Sequence, residues 1–310
     1  MPHPTAPPRI VFAGTPDAAV PSLVALVSSG ADVVGVVTRP DAPLGRKRVI
    51  TPSPVARKAE ELGLPVVKAA RLDDDATAQI LALEPDLGVI VAYGGLVRDP
   101  LLTAPEHGWI NLHFSLLPKW RGAAPVQRAL IAGDEITGAA VFQLVSALDA
   151  GDVFDQLTYR PRADETAGEV LAALADSGAQ LLADVVDRIA DGTAEARPQR
   201  GEESLAPKLT IDDGLLDFTR SADEVLARFR GVTPEPGAHT RLAGERFKIH
   251  SATRGEGSLA PGAVAPAQGG VLVGTATDAI FVDRVQPAGK AAMAADAWYR
   301  GLRGDVELGS

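Results

Sequence analysis

Three polar side chains alternate with apolar ones in the segment NLHFS, at Asn111, His113 and Ser115. Side chains two residues apart point to the same side of a β-strand, so this trio would share one face. An asparagine amide can donate a hydrogen bond to a developing oxyanion, and a histidine ring can carry a proton near neutral pH. The trio therefore indicates a site that stabilises and protonates an oxyanion. A polar strand end that satisfies local backbone groups is the other reading of the same pattern.

A second polar cluster lies in the segment SALDAGDVF, which contains Asp149 and Asp152. A carboxylate brought close to His113 could orient the imidazole ring or relay a proton. Asp-Gly turns are common and usually structural. The spacing along the chain leaves open whether this cluster and the Asn-x-His pair meet.

A third feature is the basic segment Thr38–Pro54, TRPDAPLGRKRVITPSP. It places Arg39, Arg46, Lys47 and Arg48 against a single acid, and its four prolines argue against a regular element. Long loops in compact domains are usually functional or disordered. Concentrated positive charge in an acidic protein favours a phosphate contact, with a solvated mobile loop as the alternative.

Alternating strand and helix patterns must position these residues. Short apolar, β-rich runs alternate with helix-like segments through the first half of the chain, which predicts βαβ units and a parallel doubly wound sheet. Ligands bind such sheets at the carboxyl ends of the strands. The predicted strands are 9–14, 32–38, 65–69, 86–94 and 108–115, and the helices between them are 15–30, 53–64 and 75–85.

The pattern changes along the second half of the chain. Residues 123–133 predict a helix, 137–154 a hairpin-like β segment and 166–192 a long amphipathic helix. A polar stretch rich in helix breakers follows and has the character of a linker. Beyond a further helix at 221–232, short β-type runs at close spacing predict a small β-barrel.

Composition limits the classes of function. The formal charge is −10, but residues 1–207 carry 18 basic and 27 acidic side chains, whereas 208–310 carry 12 and 13. The C-terminal part is thus nearly neutral, and a local basic surface matters more to a phosphate backbone than the total charge. The absence of cysteine excludes disulfides, thiolate metal sites and cysteine nucleophiles, and it fits a reducing cytoplasm. We expect neither a signal peptide nor a membrane span, because no apolar run reaches about 18 residues.

Nucleotide and metal motifs are missing. The first predicted strand is followed by GTPDAA rather than G-x-G-x-x-G, and no G-x-x-x-x-G-K-[ST] occurs. The five histidines are scattered, without an i, i+4 pair, so we expect no metal site.

The segment NLHFSLLPKWRGAAPVQRALIAGD, together with the downstream LDAGDVF, resembles the signature of the folate-dependent formyltransferases. That signature has an Asn-x-His pair, a Ser-Leu-Leu-Pro segment and a later aspartate. Further segments are similar to members of this family that act on tRNA, and together they span residues 10 to 293. These segments are IVFAGTPDAAVPSL, VVTRPDAPLGR, TPSPV, VVAYG and VQPAGKAAM.

The resemblance implies a fold and a reaction. It implies an α/β fold in which a Rossmann-like parallel-sheet formyltransferase domain (1–190) is joined by a linker (191–207) to a small OB-like β-barrel that holds tRNA (208–310). The reaction would transfer a formyl group from 10-formyltetrahydrofolate to the α-amine of methionine on initiator tRNA, in support of translation initiation. We expect a cytoplasmic monomer without membrane contact.

The resemblance also implies residue roles. Asn111, His113 and Asp149 match the family's catalytic trio. In this hypothesis Asn111 and His113 hydrogen-bond the oxyanion, while Asp149 positions His113 or a water and assists proton transfer to the leaving nitrogen. Folate contacts are expected from Val91, Ala92, Tyr93, Gly94, Ser115, Leu116, Leu117, Pro118 and Asp149. The expected tRNA contacts are Arg39, Arg46, Lys47, Arg48 and Lys208.

Three other functions remain to be weighed. A sugar-nucleotide or small-amine formyltransferase would share the trio and the folate site, but the basic segment and the barrel favour tRNA. A nucleotide-binding oxidoreductase would require the glycine fingerprint that is missing. A non-catalytic tRNA-binding module would leave Asn111, His113 and Asp149 unexplained. In the turn after the trio, Lys119 and Arg121 are expected to be structural rather than substrate-binding.

Overall fold

A computed structural model describes residues 7–45, 47–302 and 306–309 of the chain. The chain forms two compact units. The first contains the described residues up to 123, with 136–160 and 171–206, and the second contains 124–135, 161–170 and the described residues from 207 onward. Arg46, one of the expected tRNA contacts, lies outside the described residues.

The strands of the first unit follow the predicted order. They are β1 (Arg9–Gly14), β2 (Asp32–Thr38), β3 (Ala42–Leu44), β4 (Val49–Thr51), β5 (Val66–Lys68), β6 (Leu87–Val91), β7 (Trp109–His113), β8 (Thr137–Gln143) and β9 (Val153–Tyr159). Within the described residues, seven of them form one sheet in the order β5-β2-β1-β6-β7-β8-β9. The first five of these run parallel, and β8 and β9 are antiparallel additions. This sheet confirms the predicted α/β fold. The β segment predicted over 137–154 is an antiparallel pair, but its second strand begins at Val153 and extends to Tyr159.

Six of the seven helices in the described residues lie close to their predicted positions, and the last one was not predicted. The helices are α1 (Val20–Ser28), α2 (Pro54–Glu61), α3 (Asp74–Leu81), α4 (Pro125–Ala132), α5 (Ala167–Ala190), α6 (Ala222–Gly231) and α7 (Ala295–Arg300). Local sequence sets several of their ends. Ser53 accepts a hydrogen bond from Ala56 N at the start of α2, Asp73 accepts one from Ala76 N at the start of α3, and α4 ends at Gly133 in the left-handed conformation.

Two of the predicted elements differ from the structure. The strand expected over 86–94 ends at Val91, because Ala92 and Gly94 have φ angles of +48° and +79°, which no strand can contain. The basic segment was expected to be irregular, and that was wrong. Its β3 and β4 pair as a short antiparallel hairpin, in which Ala42 faces Thr51 and Leu44 faces Val49. Pro43 is accommodated because this two-stranded sheet has only edge strands.

The second unit is built around an antiparallel sheet. Its strands are β10 (His239–Leu242), β11 (Glu245–Arg254), β12 (Val264–Ala267), β13 (Gly270–Val273), β14 (Ile280–Gln286) and β15 (Met293–Ala294). The described strands pair in the order β10-β11-β14-β13-β12, and β15 also pairs with β14. Helix α6 begins with a capping box between Ser221 and Glu224. This antiparallel sheet confirms that the C-terminal domain is built on β-strands, as predicted.

Helix α4 belongs to this second unit, and an ion pair contributes to holding it there. Arg128 Nη1 lies 2.8 Å from Asp213 Oδ1, and Arg128 Nε donates to the Pro207 carbonyl at 3.1 Å. The ranges 1–190, 191–207 and 208–310 as functional domains stay a prediction.

Two features are missing from the described residues, a membrane-spanning helix and a cluster of metal ligands. No helix in that part of the chain combines the length and apolar character needed to cross a bilayer. The same residues contain no group of three or more His, Cys, Asp or Glu side chains that could hold a metal ion.

The core beneath β7 depends on a close approach between Gly88 and Trp109. These two residues are paired across β6 and β7, and the buried indole covers the glycine where a Cβ would stand. The Trp109 Nε1–H donates to the Leu101 carbonyl at 2.8 Å, which fixes the ring. A residue larger than glycine at position 88 would therefore displace the side chain that begins β7.

We expect Gly88→Ala to lower the free energy of unfolding by about 1–3 kcal/mol, the typical cost of overpacking a core. Gly301→Ala is the matched control, because Gly301 has a φ of −82° and its added methyl would lie 3.4 Å from the nearest atom. Urea unfolding of the two variants checks this expectation. Equal unfolding midpoints would show that the contact between Gly88 and Trp109 is not tight.

Candidate active site

Strand β7 carries the Asn-x-His pair near the middle of the sheet. It lies between β6 and β8, with Asn111 opposite Ile90 on one side and Phe142 on the other. His113 is the last residue of the strand and is buried, with 6% of its surface exposed. The ring of Phe142 meets the imidazole edge-on, with centroids 6.3 Å apart. The pair therefore sits at the carboxyl end of a parallel strand, where ligands bind in sheets of this kind.

Asn111 is half-buried, and its amide makes no hydrogen bond with the residues that the structure describes. It is also the only asparagine in the sequence. A polar side chain in the middle of a sheet normally finds a partner. The amide N–H groups of Asn111 are therefore available to a bound molecule.

The turn after β7 folds back onto the histidine. His113 Nε2 lies 2.8 Å from the Trp120 carbonyl oxygen, and Ser115 Oγ donates to the Lys119 carbonyl at 2.6 Å. Trp120 has a φ of +63°, and its N–H donates to Ser204 Oγ at 3.0 Å. These contacts fix the path of the turn that leads to Gly122.

Asp149 lies next to His113, the second member of the Asn-x-His pair. Its Oδ2 accepts a hydrogen bond from the Gly122 N–H at 2.7 Å and lies 3.8 Å from His113 Nδ1. Both side chains are well buried, with 7% of His113 and 12% of Asp149 exposed. Asp152 does not join this group, because its side chain is exposed and its carbonyl accepts from the Gln143 N–H.

The hydrogen bonds determine which tautomer His113 adopts. A carbonyl oxygen can only accept, so His113 Nε2 must carry the proton that it shares with Trp120. In the neutral ring Nδ1 is then an unprotonated acceptor that faces Asp149 across 3.8 Å. That separation is too long for a direct hydrogen bond, and it leaves Nδ1 as the ring nitrogen able to exchange a proton with a ligand.

Burial lowers the pKa of His113 below the ordinary histidine value, whereas the Asp149 carboxylate and the hydrogen bond to Trp120 both act to raise it. Burial is the largest of these effects because water can no longer stabilise the charged ring. The resting imidazole is therefore neutral at neutral pH, with the carboxylate placed to stabilise a positive charge that forms on it.

The loop after β6 contains Val91, Ala92, Tyr93 and Gly94, which are expected folate contacts. Tyr93 is buried, and its hydroxyl donates to the Ala69 carbonyl at 3.0 Å. Ala92 and Gly94 are exposed and adopt positive φ angles, so main-chain groups rather than side chains face outward. The loop is rigidly held, because Thr15 Oγ1 donates to the Tyr93 carbonyl at 3.0 Å.

The expected folate contacts after β7 have a different environment. Ser115 is fully buried with its hydroxyl bound to Lys119, and Leu117 packs with Ala140 and Phe142. These side chains shape the turn from beneath. Their contact with folate, together with that of Leu116 and Pro118, stays a prediction.

Three of the expected tRNA contacts that the structure describes belong to the first unit and one to the second. Lys47 and Arg48 are exposed at the tip of the β3–β4 hairpin. Arg39 precedes the hairpin, and its guanidinium donates to the Ala70 carbonyl at 2.6 Å and to the Gly94 carbonyl at 3.4 Å. Arg39 thus connects the segment after β5 with the loop after β6. Lys208 is exposed in the second unit.

The sequence analysis missed one segment of the candidate site, residues 199–206. Residues 199–206, inside the stretch predicted as a linker, belong to the first unit and bind the turn after β7. Arg121 N donates to the Ser204 carbonyl at 2.8 Å, and Ala206 N donates to the Arg121 carbonyl at 2.7 Å. Gln199 and Ser204 look like ordinary surface residues in a polar, breaker-rich segment, so no local signal could have identified them.

Replacing Asp149 with asparagine should lower the pKa of His113 further, since it removes a negative charge that raises it. Asparagine can still accept from Gly122, so the turn should keep its shape. NMR titration of ¹³C-labelled histidines, assigned with His113→Gln, measures the effect. The wild-type midpoint should fall below about 6.5 and the Asp149→Asn midpoint lower still.

The matched control is Asp152→Asn, which neutralises an exposed carboxylate three residues away and should leave the His113 midpoint unchanged. A wild-type midpoint above the ordinary value, or an upward shift in Asp149→Asn, would contradict the electrostatic description of the site.

Comparison with known proteins confirms the resemblance. Residues 8–186 match the family model described as "Formyl transferase", and residues 208–303 match "Formyl transferase, C-terminal domain". The methionyl-tRNA formyltransferase of Clavibacter sepedonicus is 62% identical over 95% of this chain and 97% of its own length. That of Leifsonia xyli subsp. xyli is 62% identical over 97% of this chain and 99% of its own length.

A solved structure with little sequence similarity has the same fold. The N-formyltransferase from Helicobacter canadensis, in complex with folinic acid and dTDP-3-aminofucose, superposes with a TM-score of 0.65 at 16% identity, over 90% of this chain and 99% of its own. The chain therefore belongs to the formyl transferase family, and within that family to the methionyl-tRNA formyltransferases.

Proposed function

We propose that this protein transfers a formyl group from 10-formyltetrahydrofolate to the α-amine of methionine on initiator tRNA, in support of translation initiation. One observation carries the chemistry. Asp149 faces the unprotonated Nδ1 of His113 at the carboxyl end of β7, and two residues earlier on the same strand the Asn111 amide has no hydrogen-bond partner among the described residues. The substrates follow from relatives that are named methionyl-tRNA formyltransferase and align over nearly the whole chain.

Asn111 supplies the hydrogen bond that stabilises negative charge on the formyl oxygen. Attack by the amine on the formyl carbon turns a carbonyl oxygen into an oxyanion, which a preorganised N–H donor stabilises more than it stabilises the starting carbonyl. Asn111 is positioned by a central strand, and its amide makes no hydrogen bond to any described residue. No reorganisation is needed when the charge develops.

His113 moves the proton. Because Nε2 is committed to the Trp120 carbonyl, Nδ1 accepts the proton that the amine must lose. The protonated ring then has a donor at Nδ1, which can hydrogen-bond the oxyanion and afterwards protonate the departing nitrogen. This assignment sharpens the sequence-based hypothesis, since a neutral ring of this tautomer cannot donate from Nδ1.

Asp149 stabilises the positive ring. Its carboxylate faces Nδ1 at 3.8 Å and is fixed by the Gly122 N–H. Low exposure strengthens the attraction, because the effective dielectric constant of a buried site is well below that of water. No covalent enzyme intermediate is required, which suits a chain without cysteine.

The residues after β6 fit a reduced folate. A pterin ring has donors and acceptors along its edge and a flat apolar face. The exposed main chain of Ala92 and Gly94 offers hydrogen-bonding groups, while the anchored Tyr93 keeps the loop in place. We propose that Val91–Gly94 bind the pterin together with the Asp149 turn and Ser115–Pro118. The folate brings an activated formyl group on a good leaving nitrogen.

The basic hairpin and the second unit provide the tRNA contacts in this proposal. Lys47 and Arg48 stand exposed at the hairpin tip beside Leu44, Val49 and Ile50, which are each more than half exposed. Cations with apolar neighbours suit phosphate and an unpaired base at the end of an acceptor stem. Arg39, Arg46 and Lys208 are the further proposed contacts. Residues 1–190 would carry the chemistry, 191–207 the connection and 208–310 the tRNA-binding domain of a cytoplasmic monomer.

The decisive assay supplies a labelled formyl donor with charged initiator tRNA, charged elongator tRNA, free methionine or a nucleotide-linked amino sugar. Transfer to initiator tRNA alone supports the proposal. Transfer to the amino sugar would show that the fold shared with sugar N-formyltransferases extends to their substrate, and the proposal would be wrong.

Asn111→Ala should lower kcat by about 10²–10³, the typical cost of losing one oxyanion donor. The KM values for tRNA and folate should change little, since the donor acts mainly in the transition state. Gln156→Ala, which truncates an exposed amide on β9, is the control. A tenfold or smaller loss in steady-state kinetics would remove Asn111 from the mechanism.

Arg48→Ala should weaken tRNA binding and reduce the slope of log Kd against log salt by about 1, as expected for one lost phosphate contact. The rate at saturating tRNA should be unchanged, because the hairpin takes no part in the chemistry. Arg197→Ala removes an exposed arginine paired with Glu195 and serves as the control. Filter binding at several salt concentrations provides the measurement. An unchanged slope would mean that Arg48 touches no phosphate.

A further inference from the structure

Gln199 makes a complete set of hydrogen bonds between two parts of the active site. Its Nε2 donates to the Asp149 carbonyl at 2.7 Å and to the Gly151 carbonyl at 2.8 Å. Its Oε1 accepts from Arg121 Nη2 at 2.7 Å and from Arg121 Nε at 3.2 Å. A side-chain amide with every donor and acceptor occupied has one orientation and little freedom to move.

Arg121 determines that orientation. A guanidinium only donates, so the oxygen of the amide must face Arg121, and the NH₂ group must therefore face the two carbonyls. Arg121 is itself fixed, because Nη1 pairs with Glu203 Oε2 at 2.6 Å and its N–H donates to the Ser204 carbonyl. The contact between the Gln199 oxygen and Arg121 thus determines where the Gln199 NH₂ group points.

The turn that Gln199 binds is strained and crowded. Asp149 has a φ of +45°, a conformation that costs a residue other than glycine free energy and persists only where surrounding contacts impose it. At Gly151 a Cβ would overlap the Gln143 carbonyl, so the backbone passes as close as glycine permits. Hydrogen bonds to both carbonyls of this turn oppose its relaxation.

These contacts close a ring around the carboxylate. Arg121 is bonded covalently to Gly122, whose N–H holds Asp149 Oδ2, and the Asp149 carbonyl returns through Gln199 to Arg121. The side chain of Asp149 is therefore held by Gly122, and its main-chain carbonyl is held, through Gln199, by Arg121. If the hydrogen bond from Gln199 to the Asp149 carbonyl is lost, only the Gly122 N–H holds Asp149, and its carboxylate can rotate away from His113.

We propose that Gln199 is a positioning residue, which acts through Asp149 to keep its carboxylate facing His113 Nδ1. The inference rests on the proposed function, since it gives Gln199 a part in formyl transfer. No contact with either substrate is assigned to Gln199. Its effect should appear in kcat, because KM depends on groups that bind folate and tRNA.

Gln199→Glu keeps the acceptor oxygen of the side chain and removes its NH₂ donor. One carboxylate oxygen can still accept from Arg121, but the other would face two carbonyl oxygens and repel them. If the only role of Gln199 were to accept hydrogen bonds from Arg121, this change would leave kcat unaffected. We expect kcat to fall about 10- to 100-fold, the range that follows from misplacing a catalytic group by about 1 Å. The KM values for both substrates should stay within about threefold of wild type.

Gln199→Met is the second variant, which has similar length and neither donor nor charge. It keeps the test valid if Gln199→Glu does not fold, and it should show a comparable fall in kcat. Gln156→Glu makes the same chemical change at an exposed position on β9 and should leave kcat unchanged. Thermal unfolding of each variant establishes that folded protein is being compared. A folded Gln199→Met variant with wild-type kcat overturns the proposal.

The double variant with Asp149→Asn tests whether the effect passes through Asp149. If it does, adding Gln199→Glu to Asp149→Asn should cost no further rate, whereas independent effects would multiply. A multiplied loss overturns the proposal. The proposed function fails separately, if wild type transfers no formyl group to initiator tRNA or if Asp149→Asn is fully active. An impaired Asp149→Asn beside a normal Gln199→Glu rejects the role of Gln199 alone.

Discussion

The hydrogen bond from the Gly122 N–H to Asp149 Oδ2 joins directly the two turns that make the active site. The turn after β7 and the turn before β9 are far apart in sequence, and each contains residues with positive φ angles. Neither turn has a regular structure that would fix it alone. Bound to one another, they place a carboxylate beside the imidazole at the end of a central strand. Much of what the site can do chemically follows from that placement.

The second constraint is burial. His113 ends β7 beneath Phe142 and Trp120, where water cannot stabilise a charged ring. Burial outweighs the opposing effect of the carboxylate, so the imidazole is neutral at rest and yet has a partner when it becomes charged. A base that can take and return a proton near neutral pH needs this balance. The rigid turn, with Nε2 bound to a carbonyl, also ensures that only Nδ1 can take part.

Sequence patterns predicted most of the scaffold because burial and periodicity leave clear signals. The run Arg9–Gly14 and the run Asp32–Thr38 became strands with those bounds. Asn111 and His113 were identified by alternation and by resemblance, and the structure confirms that they share a strand that Asp149 approaches. The end of β6 at Val91 was missed, since positive φ angles at Ala92 and Gly94 depend on tertiary contacts such as the hydrogen bond from Thr15. The β3–β4 hairpin was missed because proline content suggested irregular backbone.

Gln199 shows why other parts of the site could not be predicted. Its neighbours in the sequence are polar residues and helix breakers, which are typical of a linker, and its partners are 50 and 78 residues away. Side-chain hydrogen bonds to main-chain carbonyls leave no pattern in a single sequence. Arg39 makes contacts of the same kind, since its guanidinium donates to the carbonyls of Ala70, just after β5, and of Gly94, in the loop after β6, and no sequence pattern indicated them.

The most direct test of the account is a crystal structure of the protein with a stable 10-formyl analogue of the folate. The account predicts the formyl oxygen within hydrogen-bond distance of the Asn111 amide and the reacting carbon on the Nδ1 side of His113. Asp149 should remain bound to the Gly122 N–H. A formyl group bound away from Asn111, or a His113 ring turned to present Nε2, would contradict the central claim.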